Sequence, residues 1–94
     1  MLLKNSRKRI YSNVAQYNLG FLYESGEGTD ENLEKAFCWY QKAAENGDNV
    51  AQCSLSYLYK NGKGTEKDLE KAFYWYQTAA ENNNEIAMYN LLSW

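Results

Sequence analysis

The 94-residue sequence lacks histidine and proline, and it contains only two cysteines. Without histidine, neither a Cys–His nucleophile pair nor a histidine metal site can form, and two cysteines are too few for a zinc site built from four thiolates. The absence of proline leaves helices uninterrupted. The composition therefore predicts an all-α protein that is not an enzyme and that uses no cofactor or metal.

The sequence also lacks a long hydrophobic run and an even distribution of charge. No run approaches the roughly 18 apolar residues of a membrane span, so no transmembrane segment is expected. Lys4, Arg7, Lys8 and Arg9 cluster near the start, whereas residues 10–94 carry a net charge of −6. An acidic body repels phosphate backbones, which argues against nucleic acid as its partner. The basic segment alone could contact an anionic surface.

What the sequence does contain is an internal repeat. The stretch Leu33–Asn46 returns nearly unchanged as Leu69–Asn82, at an offset of 36 residues. When residues 14–49 are aligned with 50–85, 21 of the 36 positions are identical. A period of this length indicates a stacked array of supersecondary units, in which each unit buries its apolar faces against its neighbours.

The repeat divides the chain into four segments. They are a basic lead-in without repeat character (1–12), a first repeat (13–49), a second repeat (50–85) and the first helix of an incomplete third repeat (86–94). Each complete repeat is predicted to contain two helices joined by a glycine-containing turn.

The first helix of each repeat is predicted to bury one face. In the first repeat it should begin near Asn13, a favourable N-cap, and end at Gly26-Glu27-Gly28. The apolar side chains on one face are Ala15, Leu19, Leu22 and Tyr23.

The second helix of each repeat is predicted to bury a broader stripe. Thr29 or Asp30 should cap it in the first repeat, and Thr65 in the second. The stripe consists of Leu33, Ala36, Phe37, Tyr40, Ala43 and Ala44.

Residues 13–94 resemble the Sel1-like repeat family, which is related to tetratricopeptide repeats. The family pattern appears as Ala15, Leu19, Gly20, Tyr23, Gly26, Gly28, Lys35, Ala36, Trp39, Tyr40, Ala43, Ala44 and Glu45, and it recurs as Ala51, Leu55, Tyr59, Gly62, Gly64, Lys71, Ala72, Trp75, Tyr76, Ala79, Ala80 and Glu81. The resemblance implies a right-handed α/α superhelical solenoid of helix-turn-helix repeats. It further implies an adaptor in protein complexes and no catalysis.

Three residues depart from the family pattern. Ser56 stands where the first repeat has Gly20, and Asn83 stands where it has Gly47. Both changes are mild. Leu92 replaces a small residue and is expected to crowd a helix crossing, so that the last helix docks differently or not at all.

The candidate partner-binding residues lie on the first helices, on the side opposite the apolar face. In the family that this chain resembles, first helices line the concave surface where partners bind. The candidates are Tyr17, Phe21, Glu24, Cys53, Tyr57, Lys60 and Tyr89. Exposed aromatic side chains suit peptide capture. Alternatively, Tyr17, Phe21 and Tyr57 pack between neighbouring first helices and have a structural role only.

Cys38 and Cys53 occupy positions at which the other repeats carry tyrosine. A disulfide is not expected there, which predicts reduced thiols and a cytoplasmic location. Because residues 1–23 are basic and contain no acidic residue, a mitochondrial presequence is the alternative.

Two functions follow from the repeat architecture. The leading hypothesis is a protein-interaction scaffold that binds a protein or peptide segment on its concave face. The alternative is a structural segment that associates with other copies through its C-terminal end, or a piece of a longer array, because the third repeat is only half present.

Overall fold

The computed structural model describes residues 2–94, with side chains from residue 12 onward. Within that part the chain forms five helices. They are α1 (Leu2–Ser25), α2 (Leu33–Glu45), α3 (Asn49–Asn61), α4 (Leu69–Glu81) and α5 (Glu85–Leu92). Each helix packs against the next one along the chain. The predicted all-α solenoid of helix pairs is therefore confirmed, with α1, α3 and α5 as the first helices of successive repeats.

Helix α1 begins much earlier than predicted. It starts at Leu2, and Asn13 lies inside it rather than capping it. The preceding segment contains neither glycine nor proline, so nothing interrupts the helix before Asn13. The side chains of residues 1–11 lie outside the described part of the structure. The expected contact of the basic cluster (4–9) with an anionic surface therefore stays a prediction.

The second helices also start later than the predicted caps. Asn32 caps α2 and Asp68 caps α4, and each side chain accepts a hydrogen bond from the backbone three residues on. The backbone N–H of each cap donates to the end of the preceding helix, at Tyr23 O (2.8 Å) and Tyr59 O (2.9 Å). These bonds close the loop before the next helix begins, so Thr29, Asp30 and Thr65 remain in the loop.

The core lies around the middle helices. The larger buried cluster contains Ala36, Tyr40, Ala43 and Ala44 of α2, Ala51, Leu55, Leu58 and Tyr59 of α3, and Ala72 of α4. A smaller cluster joins α4 to α5 through Tyr76, Ala79 and Ala87. Alanines supply much of this core, which allows the helix backbones to approach closely.

The apolar face of α1 is more exposed than predicted. Leu19 and Leu22 are 36% and 39% exposed, and Ala15 is exposed as well. Their face corresponds to the one that α3 buries between α2 and α4, whereas α1 packs mainly against α2. The prediction that α1 buries this face is therefore wrong, because no helix covers this side of α1 in the described part of the chain.

Helix α5 docks despite Leu92. Ala87 is fully buried against Tyr76 and Ala79, while Leu92 is the last residue of the helix and is 89% exposed. The expected crowding is absent because the side chain points to solvent. The milder substitution at Asn83 also behaves as expected, since Asn83 takes the left-handed conformation (φ +70°) that Gly47 takes in the first repeat.

Among residues 2–94, no helix is long and apolar enough to cross a membrane.

Candidate functional site

A cavity of about 250 Å³ opens on the side of the molecule formed by the first helices. Its lining comes from α1 (Glu24), α3 (Cys53, Ser54 and Tyr57), α4 (Tyr76) and α5 (Ile86 and Asn90). We call it the groove cavity. Three of the seven residues predicted from the sequence, Glu24, Cys53 and Tyr57, are brought together here.

Glu24 is held in place by a buried tyrosine. The hydroxyl of Tyr40 donates a hydrogen bond of 2.6 Å to Oε1 of Glu24. Tyr40 is fully buried between the helices, and burial followed by the neighbouring carboxylate raises the pKa of its hydroxyl. The phenol therefore remains a proton donor at physiological pH and fixes the orientation of the carboxylate.

Tyr17 does not lie free on the surface. Its ring is half-buried, with its centroid 5.5 Å from that of Tyr40, and it packs against the larger core cluster. Burial raises the pKa of its hydroxyl. This geometry favours the structural interpretation of Tyr17 over a role in partner contact.

Tyr57 and Phe21 remain available to a partner. Phe21 on α1 is 44% exposed and Tyr57 on α3 is 42% exposed. The Nζ of Lys63 donates to the Tyr57 hydroxyl at 3.2 Å and lies 5.0 Å from the ring centroid. Tyr57 is thus oriented by a neighbouring lysine while one side of its ring faces the groove cavity.

Two titratable groups in the cavity lining stay neutral near pH 7. Burial raises the pKa of the Cys53 thiol, and it raises the pKa of Tyr76 to about 12. Cys53 is a free thiol, as is the exposed Cys38. The lining around these two groups is therefore mostly apolar or neutral, with Glu24 at one end.

Lys60 and Tyr89 are not part of the cavity lining. The ammonium of Lys60 lies 5.2 Å from the ring centroid of Trp94, and Tyr89 is 71% exposed on α5. They lie on the first helices as predicted, but the structure does not bring them to the same cavity.

Four lining residues were missed by the sequence analysis. Ser54 and Asn90 occupy the same repeat position, one residue after Cys53 and Tyr89. A small polar residue recurring beside the aromatic positions was a signal that could have found them. Tyr76 belongs to the second-helix stripe and Ile86 to the start of α5, and neither position differs in the sequence from an ordinary core residue.

A second cavity, of about 340 Å³, lies where α1 and the end of α2 meet the start of α3. It is lined by Asn13, Val14, Gly47, Asp48, Asn49 and Val50, none of which was predicted as a site residue. Asn13 donates from Nδ2 to Asn46 O at 3.0 Å, but its buried Oδ1 has no hydrogen-bond partner among the described residues. Among the described side chains, no cluster of three or more metal-binding residues occurs at either cavity.

A family model described as Sel1 repeat matches residues 13–48 and 49–84. Sel1 repeat proteins generally mediate protein–protein interactions, and their fold is generally a non-catalytic module. Chitin synthase regulator SKT5 from Saccharomyces cerevisiae is 56% identical over 34 residues, which are 36% of this chain and 5% of that protein.

Solved structures with the same architecture are also similar to this chain. A Sel1 repeat protein from Oxalobacter formigenes superimposes with a TM-score of 0.86 at 39% identity, covering 87% of this chain and 62% of that one. The Helicobacter pylori cysteine rich protein B gives a TM-score of 0.78 at 29% identity, covering 81% and 57%. This chain therefore spans less than two thirds of each of these proteins. Since the family model covers most of its length, the chain belongs to the Sel1 repeat family.

Proposed function

We propose that this chain is a protein-interaction module that holds a segment of a partner protein in the groove cavity. The observation that carries the proposal is that three successive first helices contribute to one cavity, with the exposed aromatic residue Tyr57 in its lining. A volume of about 250 Å³ lies below the range of roughly 300–1,000 Å³ that is typical of small-molecule sites. A cavity of this size suits one or two side chains of a larger partner.

Tyr57 supplies exposed aromatic surface in the cavity lining, and Phe21, its repeat equivalent on α1, is exposed outside the lining. Aromatic side chains bury much apolar surface while losing little conformational entropy, and tyrosine is enriched among residues that dominate binding energy. The family and the yeast relative support the same function. Sel1 repeats generally act on other proteins, and the relative is by name a regulator of chitin synthase.

The experiment is a selection of random peptides displayed on phage, followed by binding measurements with the selected peptides in solution. Tyr57→Ala and Phe21→Ala are expected to weaken binding about tenfold or more, because truncating a central aromatic contact costs at least 1–2 kcal/mol. Tyr17 is a poor choice for this test, since its ring packs against Tyr40.

Tyr74→Ala provides the matched control. Tyr74 is 59% exposed on α4, outside the groove cavity, and should leave peptide affinity unchanged. Circular dichroism checks that all variants keep their helicity. Equal affinity for the wild type and the Tyr57 variant would contradict the proposal, and so would an equal loss with the Tyr74 variant.

The exposed face of α1 favours a second candidate function, in which the chain stacks on a further set of repeats. Leu19 and Leu22 lie on the face that the second repeat buries at Leu55 and Leu58. Sedimentation over a wide concentration range should then reveal oligomers that Leu19→Lys combined with Leu22→Lys disperses. A monomer at every concentration would argue against stacking between copies of this chain.

A further inference from the structure

We propose that the groove cavity recognises a basic side chain, lysine or arginine, of the partner segment, and that Glu24 is the counter-ion that selects it. The inference rests on the proposed function and names the chemical class of the bound segment. It is carried by the charge of the cavity, by the way Glu24 is held, and by the position of the neighbouring lysines.

The cavity lining carries a single formal charge. Of its seven residues, Ser54 and Asn90 are neutral polar and Ile86 is apolar. Burial raises the pKa of the Cys53 thiol and of the Tyr76 phenol, which keeps both groups uncharged near pH 7. Among the described residues, Glu24 is the one carboxylate of the lining, and none of the lining residues is basic. A partly desolvated carboxylate gains most from a ligand that brings the opposite charge and a hydrogen-bond donor.

Glu24 is already oriented for such a ligand. Tyr40 donates to Oε1, which leaves Oε2 to accept from a bound group. Because Tyr40 is fully buried, the carboxylate is held without the entropy cost of ordering a free surface side chain. An ammonium or guanidinium group would meet an acceptor that is fixed before binding.

The lysines near the groove are engaged elsewhere. Lys60 is the repeat equivalent of Glu24, and its ammonium lies over the Trp94 ring. Lys63 lies over the Tyr57 ring and bonds to its hydroxyl. The first repeat therefore presents an acid at the position where the second repeat presents a base, and the base is directed away to an aromatic ring.

The rest of the lining fits the stem of a long basic side chain. Ile86 and Tyr76 offer apolar surface along which the methylene groups of lysine or arginine can pack. The side-chain oxygen of Asn90 can accept a further hydrogen bond from the charged head. A neutral aromatic side chain would fill the same volume but would leave the carboxylate of Glu24 without a partner.

The experiment uses the peptides selected on the wild-type protein. Each is synthesised with its basic residue intact and with that residue replaced by norleucine, which keeps the stem and removes the charge. Binding is measured by fluorescence anisotropy to the wild type, to Glu24→Gln and to the matched control Glu27→Gln. Glu27 lies in the exposed loop after α1, so the control removes the same charge outside the cavity.

We expect the norleucine peptide to bind the wild type about tenfold or more weakly than the basic peptide, since truncating a paired charge has effects of this size or larger. Glu24→Gln should abolish the difference, because glutamine still accepts the bond from Tyr40 but carries no charge. Glu27→Gln should preserve it.

A synthetic peptide of residues 1–12 of this chain serves as a second probe, because it contains four basic residues. Binding that depends on Glu24 would support the inference and would identify a second copy of the chain as a source of the basic side chain. If this peptide does not bind while the selected basic peptides still require Glu24, the inference stands and the basic side chain belongs to another protein.

Two results would overturn the inference, and they are distinguishable. If peptides bind in a way that requires Tyr57 but tolerate norleucine and Glu24→Gln, the charge selection is wrong while the proposed function stands. If no peptide binds, or if binding does not require Tyr57, the proposed function fails and the inference fails with it.

Discussion

The first helices of the two complete repeats carry the same apolar residues, yet they bury them differently. Leu19 and Leu22 of α1 are more than one third exposed, whereas Leu55 and Leu58 of α3 are fully buried. Helix α3 packs against both α2 and α4, whereas α1 packs mainly against α2. In a solenoid, the burial of a residue is therefore set by the neighbouring units as well as by its own pattern.

The largest expected effect compares leucines at equivalent positions. Leu55→Ala should lower the free energy of unfolding by about 3 kcal/mol, because it removes a fully buried side chain and leaves a cavity. Leu19→Ala should cost less than about 1 kcal/mol, because that side chain already contacts solvent. Urea unfolding followed by circular dichroism measures both. Equal losses would show that α1 is covered in solution, as the stacking candidate requires.

The loops of the two repeats also differ in how closely a neighbouring helix packs against them. A Cβ atom added at Gly28 meets no atom of the described residues within 4 Å, whereas one added at Gly64 would collide with the backbone carbonyl of Leu33. Both glycines have positive φ, at +76° and +73°. The loop of the second repeat lies against the start of α2, while the loop of the first repeat has no such neighbour within the described residues.

This contrast gives the second prediction. Gly28→Ala should cost about 1 kcal/mol, which is the penalty of a left-handed conformation for a residue with a side chain. Gly64→Ala should cost roughly 3 kcal/mol, because backbone must also move. Thermal unfolding of the two variants tests the difference, and it would be refuted by equal melting temperatures.

The polar contacts between repeats show a smaller difference. Asn49 donates to Asn82 O at 2.9 Å, and its Oδ1 accepts from Nδ2 of Asn84 at 3.1 Å. Asn13 makes the equivalent donation, but its buried Oδ1 has no partner in the part of the chain whose side chains are described. The residue equivalent to Asn84 in the first repeat is Asp48, whose carboxylate has no N–H to donate.

The third prediction concerns Asp48, which stands where the second repeat has Asn84. Asp48→Asn should raise the free energy of unfolding by about 1 kcal/mol, because it supplies the missing donor and can still cap α3, as Asn84 caps α5. Part of the gain is offset by the loss of a negative charge at the helix start. In the Asn13→Ala background the same substitution should give no gain. A gain that persists there would assign the effect to something other than Asn13.

The candidate site was only partly predictable from the sequence. The register of the repeat placed Glu24, Cys53 and Tyr57 on the first helices, because identical spacing puts equivalent residues on equivalent faces. The register could not show that Tyr17 packs against the core while Phe21 is exposed, because both are aromatic residues on the same helix. This difference in burial depends on Tyr40, a residue of α2 whose ring packs against Tyr17.

The sequence by itself determined the helical class, the 36-residue repeat, the left-handed positions at five of its six glycines and the family to which the chain belongs. These features depend on local conformational preferences and on apolar spacing, which each repeat carries within itself. Only the tertiary structure decided which apolar faces are covered, where the groove cavity forms and which charge lies in it. Those properties arise from side chains of different helices meeting in space, and similar repeats acquire different surroundings once they are stacked.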